Sequence, residues 1–98
     1  MAATVEIGTL ISRTPGVCGG RPCIAGTRIS VQRIAGWYNA GSIPEEIVRK
    51  YGHINLAQVH AALAYYFANK AEIDEYLEIE ERLAEQLSQD AGALIPRG

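Results

Sequence analysis

The sequence predicts a mainly α fold: a helix-turn-helix core of three helices, preceded by a short N-terminal β element and followed by a C-terminal helix. Apolar residues recur at helical spacing from Val31 onward, whereas the first 29 residues are broken by Gly and Pro and carry β-branched residues between the breaks. Two of the helical stretches meet at a Gly-containing corner, Gly52-His53-Ile54. The last stretch, from Ala71, is built mostly of Glu, Leu, Ala and Gln, all good helix formers. A chain of 98 residues fits one domain. Within it the expected parts are an arm and β element over 1–29, the helix-turn-helix core over 30–70, an acidic amphipathic helix over 71–90 and a flexible tail over 91–98.

Taken in order, Val5 to Ser12 reads as a strand or extended arm. Pro15-Gly16 and Gly19-Gly20 mark turns, and Arg21 to Ile29 is extended with a break at Gly26. So small a β element is weak alone, and its open edge suits pairing with a second copy or a partner. Ser30 is placed to cap the first helix, in which Val31, Ile34, Ala35 and Tyr38 form one buried face with Trp37 beside it. Gly41 ends that helix. The second opens at Ser42-Ile43-Pro44-Glu45, where Ser42 and Glu45 have capping-box spacing and Pro44 lies in the first turn. Ile47, Val48 and Tyr51 face its core side, and Gly52 stops it. Asn55 and Gln58 cap the third helix, whose apolar stripe is Leu56, Val59, Leu63, Tyr66 and Phe67. Three helices so joined have the layout of homeodomain-like modules. In the fourth, Ile73, Tyr76, Leu77, Leu83, Ala84 and Leu87 recur at steps of three and four amid Glu72, Asp74, Glu75, Glu78, Glu80, Glu81 and Glu85. The stripe is narrow and the acids are too dense for a shared core, so this helix reads as a rod for docking into a partner's groove.

Composition narrows the function classes. With 48% apolar and 20% charged residues the chain is globular rather than disordered. The start lacks the basic and long apolar regions of a secretory signal, and Leu56 to Ala68 is too short and interrupted to span a bilayer, so the cytoplasm is the expected location. In that reducing setting Cys18 and Cys23 are most simply packed thiols. A zinc site would need His53 and His60, and the spacing Cys-x4-Cys…His-x6-His fits no familiar finger. No metal and no other cofactor is expected. Nor is there a GxSxG, HExxH, P-loop or paired-carboxylate signature, so the chain reads as a binding protein and not an enzyme. The net charge of −2 conceals a split. Residues 1–54 set Arg13, Arg21, Arg28, Arg33, Arg49 and Lys50 against Glu6, Glu45 and Glu46, a balance of +3, while residues 55–98 stand at −5. Two faces with different partners follow from such a division, since local fields steer association.

The run Pro15-Gly16-Val17-Cys18-Gly19-Gly20-Arg21-Pro22-Cys23-Ile24-Ala25-Gly26-Thr27-Arg28-Ile29 resembles the signature of domain-of-unknown-function family 433, Gly-Gly-x-Pro-x-Ile-x-Gly-Thr-Arg followed by three helices. The resemblance continues through Pro44-Glu45-Glu46-Ile47, the Tyr51-x-His53 corner and Leu63-Ala64-Tyr65-Tyr66, covering roughly residues 7–77. It implies a homeodomain-like fold and a role as the antitoxin of a type II, VapBC-like toxin–antitoxin pair whose toxin is a PIN-like ribonuclease. One departure is that the family usually has Ser or Thr directly before the helix-starting proline, where this chain has Ile43. Within the signature, Gly20 and Gly26 suit sharp turns, Pro22 limits pairing on one strand edge, and Thr27 and Arg28 complete the motif. Arg28 is placed either to brace the turn or to reach a phosphate.

Two functions are therefore weighed. As an antitoxin that also represses its own operon, the chain would lay its acidic helix in the basic groove of the nuclease, with Tyr76, Leu77, Leu83 and Leu87 as anchors and Glu80 among the acids. As a stand-alone helix-turn-helix regulator it would read operator DNA through Asn55, Gln58 and His60, with Arg28, Arg33, Arg49 and Lys50 on phosphates. The absence of Arg or Lys between Asn55 and Ala68 weakens the second reading. The expected assembly is a homodimer or a hetero-oligomer with the toxin.

Overall fold

The computed structural model describes residues 4–94. Four helices follow a small sheet: α1 Val31–Asn39, α2 Pro44–Tyr51, α3 Leu56–Ala68 and α4 Lys70–Leu94. In the sheet β1 (Ile11–Ser12) runs antiparallel to β2 (Cys23–Ile24), with Ile11 opposite Ile24 and Ser12 opposite Cys23. The fold is thus mainly helical, as the periodicity indicates.

The β element is shorter than expected. Ile7–Leu10 forms a 3-10 turn instead of extending a strand from Val5. Thr9 closes that turn, its N–H and its Oγ1 both donating to the Glu6 carbonyl at 2.9 and 2.6 Å, and such local bonds compete with a ladder. The signature run folds as two turns flanking β2. Cys18, Gly19 and Gly20 all have positive φ, at 51, 64 and 78°. In the second turn Thr27 is the brace. Its N–H and Oγ1 donate to the Ile24 carbonyl at 3.0 and 2.8 Å, and the same Oγ1 accepts from the Ile29 N–H at 3.1 Å. Gly26, at φ +76°, supplies the left-handed step. Pro22 is fully buried and its carbonyl accepts the Val31 N–H at 2.9 Å, which fastens the sheet to the start of α1.

One core gathers Ile24 of β2, Val31, Ile34 and Ala35 of α1, Ile47 of α2, Val59, Ala62, Leu63 and Tyr66 of α3, and Ile73 of α4. Helix α3 lies at its centre, packed against α1, α2, α4 and the N-terminal elements. Ser30 caps α1 by accepting the Arg33 N–H at 3.1 Å. Tyr38, expected on the buried face, is instead exposed and meets Phe67 edge-on with ring centroids 5.7 Å apart. It sits in the last turn of a nine-residue helix and meets only the exposed edge of α3. Leu56 and Phe67, expected in the stripe of α3, are also exposed, because Ala61 and Ala62 take the inward positions and rotate the buried face toward Val59 and Tyr66.

The start of α2 also departs from expectation. Ile43, not Ser42, is the N-cap, and Glu46, not Glu45, reaches back to accept the Ile43 N–H at 3.2 Å. Isoleucine has no side-chain acceptor, so only half of the reciprocal cap is made. Because Ile43 is 52% exposed, Ile43→Ser is expected to stabilise the protein by about 0.5–1 kcal/mol through a new bond from the Glu46 N–H. A urea midpoint that stays put or falls would count against that cap geometry. At the other end Gly52, at φ +76°, caps α2 by donating to the Val48 carbonyl at 3.0 Å.

Asn69 alone separates α3 from α4, its non-helical backbone breaking the helix while its side chain donates to the Tyr65 carbonyl at 3.1 Å. Helix α4 then runs 25 residues, four past its expected end. The rest of the expected tail, residues 95–98, lies outside the described residues. A helix of that length rises about 37 Å, more than either short dimension of the 67 × 26 × 22 Å chain.

Candidate functional site

Helix α4 is divided in two by what it touches. Its first half belongs to the body: Ile73 is fully buried, and Leu77 lies over Gly36, its Cδ2 3.6 Å from where a β-carbon on that glycine would be. The Arg21 guanidinium stacks on the Tyr76 ring, 4.3 Å from its centroid. Glu80 accepts from Gln32 Nε2, and Gln32 Oε1 accepts from Arg21 Nη1 at 3.2 Å. Gln32, only 4% exposed, is not among the residues the sequence picks out, although Ala35 and Gly36 one turn later signal the close approach of another helix. Three of the five expected toxin contacts, Tyr76, Leu77 and Glu80, are therefore engaged with the protein's own body. The other two, Leu83 and Leu87, are 53% and 67% exposed on the half that projects, next to exposed Glu78, Glu81 and Glu85. The acids were expected to keep α4 out of the core, yet the helix docks by one apolar edge.

Acids at the start of α4 are likewise engaged internally. Arg13 Nη2 donates to Glu72 and to the Tyr65 hydroxyl, Tyr65 donates to Glu72 at 3.0 Å, and Tyr76 donates to it at 3.1 Å. The guanidinium, first among these partners, holds the Glu72 carboxyl below the ordinary glutamate range. Tyr66, buried in the core, donates to Asp74 at 2.8 Å and accepts from Asn39 at 3.1 Å, while Lys70 pairs with Asp74 at 2.9 Å. A depressed carboxyl stabilises the fold above its unfolded pKa, and that contribution is lost as pH falls through the folded pKa. The Arg13–Glu72 pair is partly exposed, so Glu72→Gln is expected to cost about 1 kcal/mol at neutral pH and to flatten the acid limb of Tm against pH. Parallel acid limbs for the two proteins would refute this.

The residues expected to meet DNA are scattered. Asn55 and Gln58 turn their side chains on each other's backbone, accepting and donating in a reciprocal cap at 2.9 and 2.7 Å. His60 is exposed on the outer face of α3 in helical register with Leu56, Ala64 and Phe67, a face without charge. Arg49 is exposed near the end of α2, and Lys50 lies 4.3 Å from the centre of the Trp37 ring. Arg28 and Arg33 line a cleft of about 440 Å³ with Arg21 and Tyr51, and none of Asn55, Gln58 or His60 reaches it. The Arg28 guanidinium makes no hydrogen bond among the described residues, so the turn is braced by Thr27, and Arg28 lines the cleft.

Over residues 11–66 the sequence matches DUF433, a family described as proteins of unknown function. The chain belongs to the DUF433 family. A crystal structure of a DUF433 member protein from Anabaena variabilis ATCC 29413, at 33% sequence identity, is similar in fold with a TM-score of 0.68, covering 71% of this chain and 69% of that one. No curated protein matches the chain at a significant level. The DUF433 match begins at β1 and ends at Tyr66, before α4 starts at Lys70.

Proposed function

We propose that this DUF433 protein is the antitoxin of a type II, VapBC-like pair and that the projecting half of α4 inhibits a PIN-like ribonuclease by lying in its substrate groove. The observation that carries this reading is the exposure of Leu83 and Leu87 on a helix anchored at one end and acidic along the other. A groove that binds RNA phosphates is basic, and an acidic helix with apolar anchors suits it in charge and shape. The contact set contracts toward the tip: Leu83 and Leu87 anchor, and Glu78, Glu81 and Glu85 supply charge, while Tyr76, Leu77 and Glu80 hold the rod to the body. Such a pair works in the cytoplasm, as a hetero-oligomer built on antitoxin dimers. No helix among the described residues is long and apolar enough to cross a membrane.

Operon repression remains part of the proposal through Arg28, Arg33 and Arg49 on phosphates. The uncharged outer face of α3 and the capped Asn55 and Gln58 favour this over a stand-alone regulator that reads bases on its own. The test is to purify the chain with the product of the adjacent gene and assay ribonuclease activity at equal concentrations. A stable complex with cleavage suppressed is expected; no complex and undiminished cleavage would reject the reading. Mobility shifts on the operon's own promoter, at two salt concentrations, are expected to need the toxin.

A further inference from the structure

We propose that the arginine cleft beneath the Gly-Thr-Arg turn is a binding site for a phosphate monoester of about the size of a nucleoside monophosphate. Arg21, Arg28 and Arg33 arrive there from the loop before β2, from the turn after it and from the first turn of α1. Glu80 is the one carboxylate in the lining, and Gln32 already donates to it. Arg28 and Arg33 have no carboxylate partner among the described residues. Arg21 is held by the Tyr76 ring and Gln32, whereas Arg28 and Arg33 leave positive charge on the lining that an anion would offset, and planar guanidinium forks match phosphate oxygens.

The remaining walls suit the same ligand. Ser30, Gln32 and Arg33 bring the N-terminal turn of α1 to the cleft; its Val31 and Arg33 N–H groups are already given to Pro22 and Ser30, so it adds partial positive charge rather than those donors. Gly19 leaves the opposite wall without a side chain, and a β-carbon there would meet nothing within 4 Å. Burial, helped by neighbouring Cys23, pushes the Cys18 thiol up, so that wall is uncharged at neutral pH. Tyr51 accepts from Trp37 Nε1 at 3.0 Å and keeps its own proton to donate. At about 440 Å³ the cleft exceeds a bare phosphate and falls in the range of small-ligand sites, with Ile29 and the Tyr51 ring to meet the organic part. The site is separate from the surface proposed for the nuclease, but it shares Arg28 and Arg33 with the proposed operator contact, and the duplex arm of the titration tells the two apart.

The test is a titration of the full chain, followed by amide NMR, with adenosine monophosphate, inorganic phosphate, adenosine and a short DNA duplex. Saturable shifts at Gly19, Ser30 and Arg33 are expected with the monophosphate and none with adenosine. Arg28→Ala with Arg33→Ala is expected to weaken binding at least tenfold, roughly one charge-assisted contact's worth, without changing Tm, since both side chains are exposed. Glu80→Gln, which keeps the acceptor for Gln32 and removes the competing charge, is expected to tighten binding about threefold. Inorganic phosphate binding as tightly as the ester would support the anion site with the free ion as its ligand. No saturable shift up to about 10 mM would overturn the proposal. So would undiminished binding by the double variant, or shifts with the duplex alone, which would make the cleft a contact for the nucleic-acid backbone.

Discussion

Ile73→Ala is expected to cost about 2–5 kcal/mol, a large part of the 5–15 kcal/mol that holds a domain of this size. Ile73 is fully buried in the cluster that joins α1, α2 and α3, although it belongs to a helix whose far half leaves the body. Truncation to alanine leaves a cavity that the surrounding helices fill only in part, and the expected fall in Tm is on the order of 10 °C or more. Leu83→Ala is the control: at 53% exposure it should alter stability by no more than about 0.5 kcal/mol. Equal thermal shifts in the two variants would mean that α4 does not dock as described. The same packing dictates where the rod can be cut. A chain ended after Arg82 keeps Ile73, Leu77 and Glu80 and should fold, whereas one ended at Asn69 uncovers the core. Inhibition lost on removal of all of α4 would therefore say nothing specific about the rod.

Leu83→Asp together with Leu87→Asp is expected to lower affinity for the ribonuclease by at least a hundredfold while leaving Tm unchanged. Both residues are more than half exposed, so their removal costs the body little. If they are the buried anchors of the complex, each is worth on the order of 2 kcal/mol or more, and a charge placed in an apolar contact adds its desolvation cost. Glu81→Lys with Glu85→Lys should act differently, slowing association and making affinity less sensitive to salt. Titration calorimetry separates the pairs. Unimpaired binding by the leucine variant would remove the projecting half of α4 from the interface.

Much of the local architecture is legible in the chain. The Ser30 cap, the reciprocal Asn55–Gln58 cap and the left-handed stop at Gly52 depend on residues within a few positions of one another, and each occurs where spacing places it. The signature turn is similar: Gly26 and Thr27 close it by contacts no more than three residues apart. Ile43 shows the limit even of local reading. Ser42 and Glu45 have the right spacing for a cap, but the fixed φ of Pro44 makes it the first helical residue, so the register moves by one.

Periodicity also fails to rank apolar residues against each other. A helix with Leu56, Val59, Ala61, Ala62, Leu63, Tyr66 and Phe67 has several stripes, and α3 buries the one containing two alanines, Ala61 on the side of Ile7 and Ile11 and Ala62 within the shared core. The side-chain contacts that define the functional surfaces are more remote still: Gln32 and Glu80 are 48 positions apart, and Arg13 and Glu72 are 59.

The order of the helices, their caps, the acidic character of the last one and the turn chemistry of the signature follow from neighbouring residues, since backbone sterics and 3.6-residue spacing act over one or two turns. Folding in three dimensions settled which acids of α4 stay exposed, where α4 leaves the body and how three arginines come to line one cleft. Those outcomes rest on groups distant in the chain competing for the same hydrogen bonds and the same buried volume, and that competition has no signature within a single turn.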